Sequence, residues 1–317
     1  MSNRTFKAEP AVRHEVPLLI GLSGPSGGGK TFSALRLATG IQRICGGDIA
    51  VIDTESRRAL HYADKFKFKH IPFVAPFGSL DYLEAINYAV SIGSKCIVVD
   101  SMSHEHEGPG GMLECHQAEV DRLSKGDADK ADRVKMLAWG KPKADRRRFI
   151  NSILQLPANF VFCFRAKEKL KLEKGKDPLN QGYMPIAGEE FVFEMTVNAL
   201  LLPGANGVPS WNPLEVGERQ MVKRPLQFHE LLKPNQVLDE AAGEFMAKWA
   251  RGEVGEPLSS EEQEQVLACE VSIGECEDAA KLEAIGERIK AMRKPAQDQL
   301  RGQYLKKKKE LGKAVTA

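Results

Sequence analysis

Cysteine is sparse and unpatterned in this chain: Cys45, Cys96, Cys115, Cys163, Cys269 and Cys276 are scattered, and no C-x-x-C pair occurs. That spacing argues against a disulfide framework or a structural zinc site and suits the reduced thiols of a cytosolic protein. Long apolar runs are missing too. None reaches the length of a membrane span, and Met1 to Glu15 lacks the apolar core of a signal peptide. A cytoplasmic protein without membrane attachment is the expectation. Nor is there an excess of one charge: 45 Lys and Arg face 43 Asp and Glu, for a net +2. No global field advertises nucleic acid, so any basic binding surface has to be local. What remains is ordinary for a soluble globular protein, with 42% hydrophobic and 28% charged residues. At 317 residues the chain is long enough for one large domain and a smaller one.

The stretch that organises the rest is Gly24-Pro25-Ser26-Gly27-Gly28-Gly29-Lys30-Thr31, a full match to G-x-x-x-x-G-K-[ST]. An apolar run, Val16 to Leu22, precedes it and reads as a buried strand. A helix-compatible run, Thr31 to Ile41, follows. Strand, glycine-rich turn and helix start are the context that a phosphate-binding loop requires. The glycines permit positive φ and bring backbone N–H groups close to phosphate oxygens, and the helix N-terminus adds its partial positive charge. The motif assigns Lys30 to the β- and γ-phosphates and the Thr31 hydroxyl to Mg²⁺, with ATP and Mg²⁺ as the implied cofactors. A second signature is Cys96-Ile97-Val98-Val99-Asp100-Ser101, an apolar strand with an acid at its carboxyl end. Asp100 fits the aspartate that holds the Mg²⁺ shell beside Thr31.

Further along, apolar and helical runs alternate, which implies parallel strands in an α/β sheet flanked by helices. Residues 1–14 read as a flexible arm and 15–251 as the core. Asp48 to Glu55 is a second strand, Phe73 to Phe77 a candidate edge strand, and Ser79 to Ser94 a helix. Residues 105–143 read as a loop and one solvated helix, and Ala144 to Leu156 as another helix. His104-Glu105-His106 has the wrong spacing, and no Cys partner, for a metal site. Asn159 to Phe164 is a strand, Glu168 to Gly182 a lysine-bearing loop, and Phe191 to Leu202 a strand that closes the sheet. Gln220 to Pro225 is a candidate last strand, and Val237 to Arg251 is amphipathic. Residues 252–258 read as a linker. Residues 259–317 read as a helical hairpin broken at Pro295, with Ser259 and Ser260 as its first cap and Lys306 to Lys309 as a basic end. That end is either a solvated surface or a DNA contact.

With Glu55 placed 25 residues after Lys30, and Asp100 placed 70 after it, the chain resembles the RecA-type recombinase core. It is similar to the compact phage-encoded RecA-like ATPases grouped with single-strand-annealing proteins. The residues that carry the resemblance are the phosphate loop, Ile52-Asp53-Thr54-Glu55 and Ile97-Val98-Val99-Asp100-Ser101. It spans roughly residues 16–230 and implies a RecA-like P-loop NTPase fold. It also implies that Glu55 polarises the attacking water, that Arg165 contacts the γ-phosphate, and that residues 166–188 form a DNA-binding loop. Lys167, Lys169, Lys171, Lys174 and Lys176 would supply phosphate contacts to single-stranded DNA, although a solvated loop would carry the same lysines. Arginine at position 165, where bacterial recombinases have glutamine, departs from the family. Lys223 and Arg224 match the segment from which one subunit reaches the neighbour's ATP, or are an ordinary surface pair. A homo-oligomer with ATP at its subunit interfaces is the corresponding arrangement, although no counterpart of the N-terminal segment with which larger recombinases polymerise is recognisable.

Two other functions are open on the residues alone. The lysine-bearing loop also suits the lid of a P-loop kinase acting on a small molecule or nucleotide. The helical tail suits an ATP-switched adaptor that recruits a replication or recombination partner.

Overall fold

Alternation at every second residue builds both faces of a sheet in this protein. The computed structural model describes residues 8, 10–171, 179–211, 222–253, 260–276 and 278–314. Contacts divide the chain into two units, Met1–Arg251 and Gly252–Ala317. In the first unit the strands are β1 (Leu19–Gly24), β2 (Asp48–Asp53), β3 (Lys69–Pro72), β4 (Ser94–Asp100), β5 (Asn159–Lys171), β6 (Leu179–Pro185) and β7 (Val197–Leu200). They pair in the order β3-β2-β4-β5-β1-β7, all parallel, and β6 runs antiparallel along the outer half of β5.

Among the described residues the α-helices of this unit are α1 (Lys30–Cys45), α2 (Ser79–Ser91), α3 (His104–Glu107), α4 (Met112–Ser124), α5 (Ala128–Ala138), α6 (Gly140–Ile153), α7 (Glu189–Phe193) and α8 (Glu240–Ala250). Ile20, Leu22, Val98, Val161 and Cys163 point to one face, where they pack with Leu35, Leu37 and Ile41 of α1 and Met246 of α8. Leu19, Ile97, Val99, Phe160, Phe162 and Phe164 point to the other, against Tyr82 and Ile86 of α2 and Phe149 and Ile153 of α6. Burying each phenylalanine contributes about 1.5–3 kcal/mol relative to leaving it in water. Helices on both faces explain why these strands read as continuous apolar runs. The expected α/β P-loop core, mainly parallel and flanked by helices, is the observed fold.

α1 and α8 cross very closely. A Cβ on Gly40 would strike the Glu240 carbonyl, and one on Gly243 would strike the Leu37 carbonyl. Arg36–Glu240 at 2.6 Å and Arg43–Glu244 at 2.8 Å flank the crossing.

Several elements differ from the sequence reading. The edge strand is Lys69–Pro72, not Phe73 to Phe77. Proline carries no N–H for a ladder, and Phe73 and Phe77 pack edge-on instead, Phe73 against Tyr82 at 4.8 Å and against Phe77 at 5.5 Å. Residues 105–143 hold three separate helices before α6, divided by Gly108-Pro109-Gly110-Gly111 and by Lys125-Gly126, where φ is positive at residues 110, 125 and 126. Their charged composition hid them, because little of each helix is buried. The run from Phe191 to Leu202 is not one strand. Gly188, with Glu189 and Glu190 in a first turn, starts α7, and only Val197–Leu200 joins the sheet. The expected loop from Glu168 is, in its described part, a hairpin of β5 and β6. Lysine at every second position from 167 to 171 has the strand period. Lys223 makes a lone antiparallel bridge to Asn198, and Gln220 and Met221 lie outside the described residues.

The second unit is helical, as expected, and where a hairpin was read it contains, among the described residues, three helices: α9 (Ser260–Glu275), α10 (Ala279–Ala291) and α11 (Lys294–Ala314). The Asp278 side chain caps α10 by accepting from Ala280 N at 2.8 Å. Pro295 stands in the first turn of α11, where a missing N–H is tolerated. Val266, Cys269, Ile273, Leu282, Ile285 and Leu300 form this unit's own core. Residues 1–7 and 9 of the expected arm, 254–258 of the expected linker, and Ser259 lie outside the described residues. Among the described residues no helix is long and apolar enough to cross a membrane.

Candidate functional site

Strand register brings the chemistry to one edge of the sheet. Gly24 pairs with Arg165, Asp100 with Cys163, and Asp53 with Asp100. The carboxyl ends of β1, β2 and β4 and the middle of β5, at Arg165, therefore open onto one cavity of about 540 Å³. Ser26, Gly27, Gly29, Lys30, Thr31, Glu55, Arg58, His61, Tyr62, Asp100 and Arg165 line it. Ligand sites outside the carboxyl ends of parallel strands are the general rule for open α/β sheets.

The phosphate loop turns from β1 into α1 through Gly27 and Gly29, at φ 81° and 86°. Gly28 N donates to Pro25 O at 3.3 Å. A Cβ at Gly24 or Gly28 would run into the Leu201 carbonyl oxygen just past β7, so the loop lies flush against its neighbour. Lys30 Nζ donates to Gly24 O at 2.9 Å and Pro25 O at 2.8 Å. Burial lowers the Lys30 pKa, against the charges of Asp100 and Glu55. Thr31 Oγ1 donates to Asp100 Oδ2 at 2.5 Å. Burial raises the Asp100 carboxyl to about 6, against the Thr31 hydrogen bond and the Lys30 charge.

Glu55 stands on a turn that backbone forces alone would not favour. Ser56 and Arg57 both have positive φ, 57° and 67°, a conformation costing on the order of 1 kcal/mol for each such residue. Asp53 holds both ends of the turn: Oδ1 accepts from Glu55 N at 2.8 Å, Oδ2 accepts from Ala59 N at 3.0 Å, and His70 Nε2 lies 3.0 Å from Oδ2. Two arginines meet the Glu55 side chain. Arg165 donates to Oε1 from Nε at 2.8 Å and Nη2 at 2.6 Å, and Arg58 Nη1 donates to Oε2 at 2.7 Å. Burial pushes the Glu55 carboxyl up, but the hydrogen bonds and charges of Arg58 and Arg165 outweigh it, and the net shift is downward.

Behind the cavity, Thr54 Oγ1 accepts from Ser101 N at 2.7 Å and lies 2.8 Å from His104 Nδ1, while Tyr82 OH donates to Ser101 O at 2.7 Å. His106 and Glu105 turn instead to Arg146, whose Nη2 donates to Glu105 Oε2 at 2.6 Å with both side chains buried. Among the described residues no three His, Cys, Asp or Glu side chains converge as a metal cage. Mg²⁺ has no need of one, because it usually takes one or two protein oxygens together with phosphate and water. The paired oxygens of Thr31 and Asp100 fit that donor set.

The structure thus brings Lys30, Thr31, Glu55, Asp100 and Arg165 together with the loop of residues 24–29. It does not bring Lys223 or Arg224 there. Lys223 Nζ donates to Phe193 O at 3.3 Å, and Arg224 donates to Leu232 O at 3.0 Å with its guanidinium 5.5 Å from the Trp211 ring. Lys167 is exposed on β5, opposite Met184. Lys169 and Lys171 lie on the same strand, and Lys174 and Lys176 lie outside the described residues. The sequence reading missed Arg58, His61 and Tyr62. Their only local signal was position, within seven residues after Glu55 in a segment with little apolar content.

A glycine turn between a buried strand and a helix, with Lys-Thr at its end and an aspartate from a parallel strand against the threonine, defines a P-loop NTPase. The model of the AAA domain family matches residues 17–196, more than half of the chain, and the protein belongs to that family. It carries an AAA-type P-loop ATPase domain. None of the curated proteins compared matches the chain.

Proposed function

We propose that the protein is a Mg²⁺-dependent, RecA-like ATPase that binds single-stranded DNA and acts in phage-type homologous recombination or strand annealing, in the cytoplasm of a bacterial host. One observation carries the reading. Arg165 bonds Glu55 through its side chain at the cavity, while its own strand runs on as the hairpin that bears Lys167. A strand shared by the nucleotide cavity and a basic hairpin supports communication between ATP and a polyanion. Lys167, Lys169, Lys171, Lys174 and Lys176 are the proposed phosphate contacts.

In this reading the loop of residues 24–29 and Lys30 hold the phosphate chain, and Thr31 and Asp100 hold Mg²⁺. Mg²⁺ held there would supply charge neutralisation for the phosphates. Glu55 orients a water and takes its proton as the water oxygen bonds to the γ-phosphorus. The bond from that phosphorus to the bridging oxygen breaks, leaving ADP and phosphate. Lys223 and Arg224 do not line their own subunit's cavity, so any part they take in hydrolysis is played at a neighbour's site in a homo-oligomer. Helices α9–α11 are the proposed surface for a recombination or replication partner.

The test is ATP hydrolysis with and without single-stranded DNA over a salt series, for wild type and Lys30→Ala. Stimulation by DNA that falls with salt and vanishes in the variant is the expected result. Hydrolysis indifferent to DNA refutes the DNA reading. Phosphoryl transfer to a nucleotide acceptor would make the protein a kinase. Tight nucleotide binding with scarcely any turnover would make it a switched adaptor.

A further inference from the structure

Both oxygens of the Glu55 carboxylate are occupied by guanidinium groups, Oε1 by Arg165 and Oε2 by Arg58. A carboxylate held on both sides by cations is a weak acceptor for a water proton. Glu55 can act as a base only after at least one arginine has found another partner. Both arginines line the same cavity as Lys30, Thr31 and Asp100, where the phosphate chain of a nucleotide would lie.

The two arginines are not equally free to move. Arg165 is fixed at its backbone, with N donating to Ser103 Oγ at 2.8 Å and O accepting from Ile186 N at 2.7 Å, and its side chain makes two hydrogen bonds to Glu55. Arg58 gives Glu55 a single hydrogen bond, and its side chain is 61% exposed against 11% for Glu55. When the pair parts, it is Arg58 that swings. The turn between them, held at both ends by Asp53, keeps the arginine within reach of the cavity in either position.

A terminal phosphate carries more negative charge than one carboxylate and accepts the guanidinium fork in two parallel hydrogen bonds. A diphosphate offers no such group at that place. We propose that Arg58 is a γ-phosphate-binding residue, which exchanges its ion pair with Glu55 for the terminal phosphate of a bound nucleoside triphosphate. The base is then released only when there is a phosphate to cleave. This rests on the reading of the cavity as an ATP site with Glu55 as its base.

The experiment measures dissociation constants for ADP and for the β,γ-imido analogue of ATP, both with Mg²⁺, together with kcat and KM. Full-length wild type, Arg58→Ala, Arg58→Lys, Glu55→Gln and Lys30→Ala are compared. Wild type should prefer the triphosphate analogue. Arg58→Ala should lose at least tenfold in affinity for it while ADP affinity stays within twofold, and its kcat should fall. Arg58→Lys should recover part of the loss, since lysine supplies the charge without the fork. An unchanged preference in Arg58→Ala overturns the proposal. A rise in kcat with the preference unchanged shows Arg58 to be only a restraint on Glu55, and overturns it too. If Arg58→Ala loses the preference but Glu55→Gln turns over normally, the exchange is refuted while the phosphate contact stands. Wild type that binds neither nucleotide, like Lys30→Ala, overturns the ATP site itself.

Discussion

Asp100 is penalised by the fold that positions it. The side chain is buried, and its carboxyl is raised from the usual 3.8 to about 6. A shift of about two units corresponds to roughly 3 kcal/mol at about 1.36 kcal/mol per unit. Because the folded value lies above the unfolded one, the native state binds this proton more tightly than the unfolded chain does. The stabilisation is full below the unfolded value and is lost as pH rises through the folded value near 6. Asp100→Asn removes the titration and keeps an acceptor for Thr31. In buffer free of metal and nucleotide, the variant should be the more stable, by about 1 kcal/mol at pH 4.5 and about 3 kcal/mol at pH 7.5. Urea denaturation followed by tryptophan fluorescence measures this on the relevant unit alone, because Trp139, Trp211 and Trp249 all belong to Met1–Arg251. Adding Mg²⁺ and ADP should narrow the gap at pH 7.5, since only the charged aspartate gains a partner. A gap that does not change with pH, or a variant less stable than wild type at pH 7.5, would refute the reasoning.

Glu55→Gln should lower hydrolysis by about 100-fold or more with little change in KM, the usual scale of a general base. Unaltered kcat would remove Glu55 from that role. Arg146→Ala should destabilise the first unit by about 3–5 kcal/mol, because it leaves the buried Glu105 carboxylate without its cation, and a thermal melt lowered by only a degree or two would contradict this. Gly40→Ala should destabilise by about 1–3 kcal/mol through its contact with the Glu240 backbone. Helix propensity alone predicts a gain of about 1 kcal/mol, so the sign of the measured change decides between packing and propensity.

What the amino-acid sequence determined by itself was local. The phosphate loop, the strands that carry Asp53, Asp100 and Phe164, and helix α1 each follow from neighbours in the chain: glycines that permit positive φ, short continuous apolar runs, an acid after such a run. The α/β fold and the nucleotide site were legible for that reason. Charged helices such as α4 and α5 were not, because a helix that buries little shows little apolar period. The lysine-rich stretch after Phe164 carried its strand period openly, yet its lack of apolar residues made it read as a loop. Tertiary structure decided everything that depends on strand order and register. Arg165 reaches Glu55 across 110 residues of sequence because β4 lies between β2 and β5 and the register sets the ends of β2 and β4 level with the middle of β5. The pairing of β1 with β7 sets Leu201 behind the phosphate loop, and Lys223 and Arg224 bond to Phe193 O and Leu232 O instead of lining the cavity. Arg58 entered the site through a left-handed turn that Asp53 holds from beneath. No pattern of neighbouring residues encodes such a turn, because the hydrogen bonds that offset its backbone cost form only once the strand has placed the aspartate.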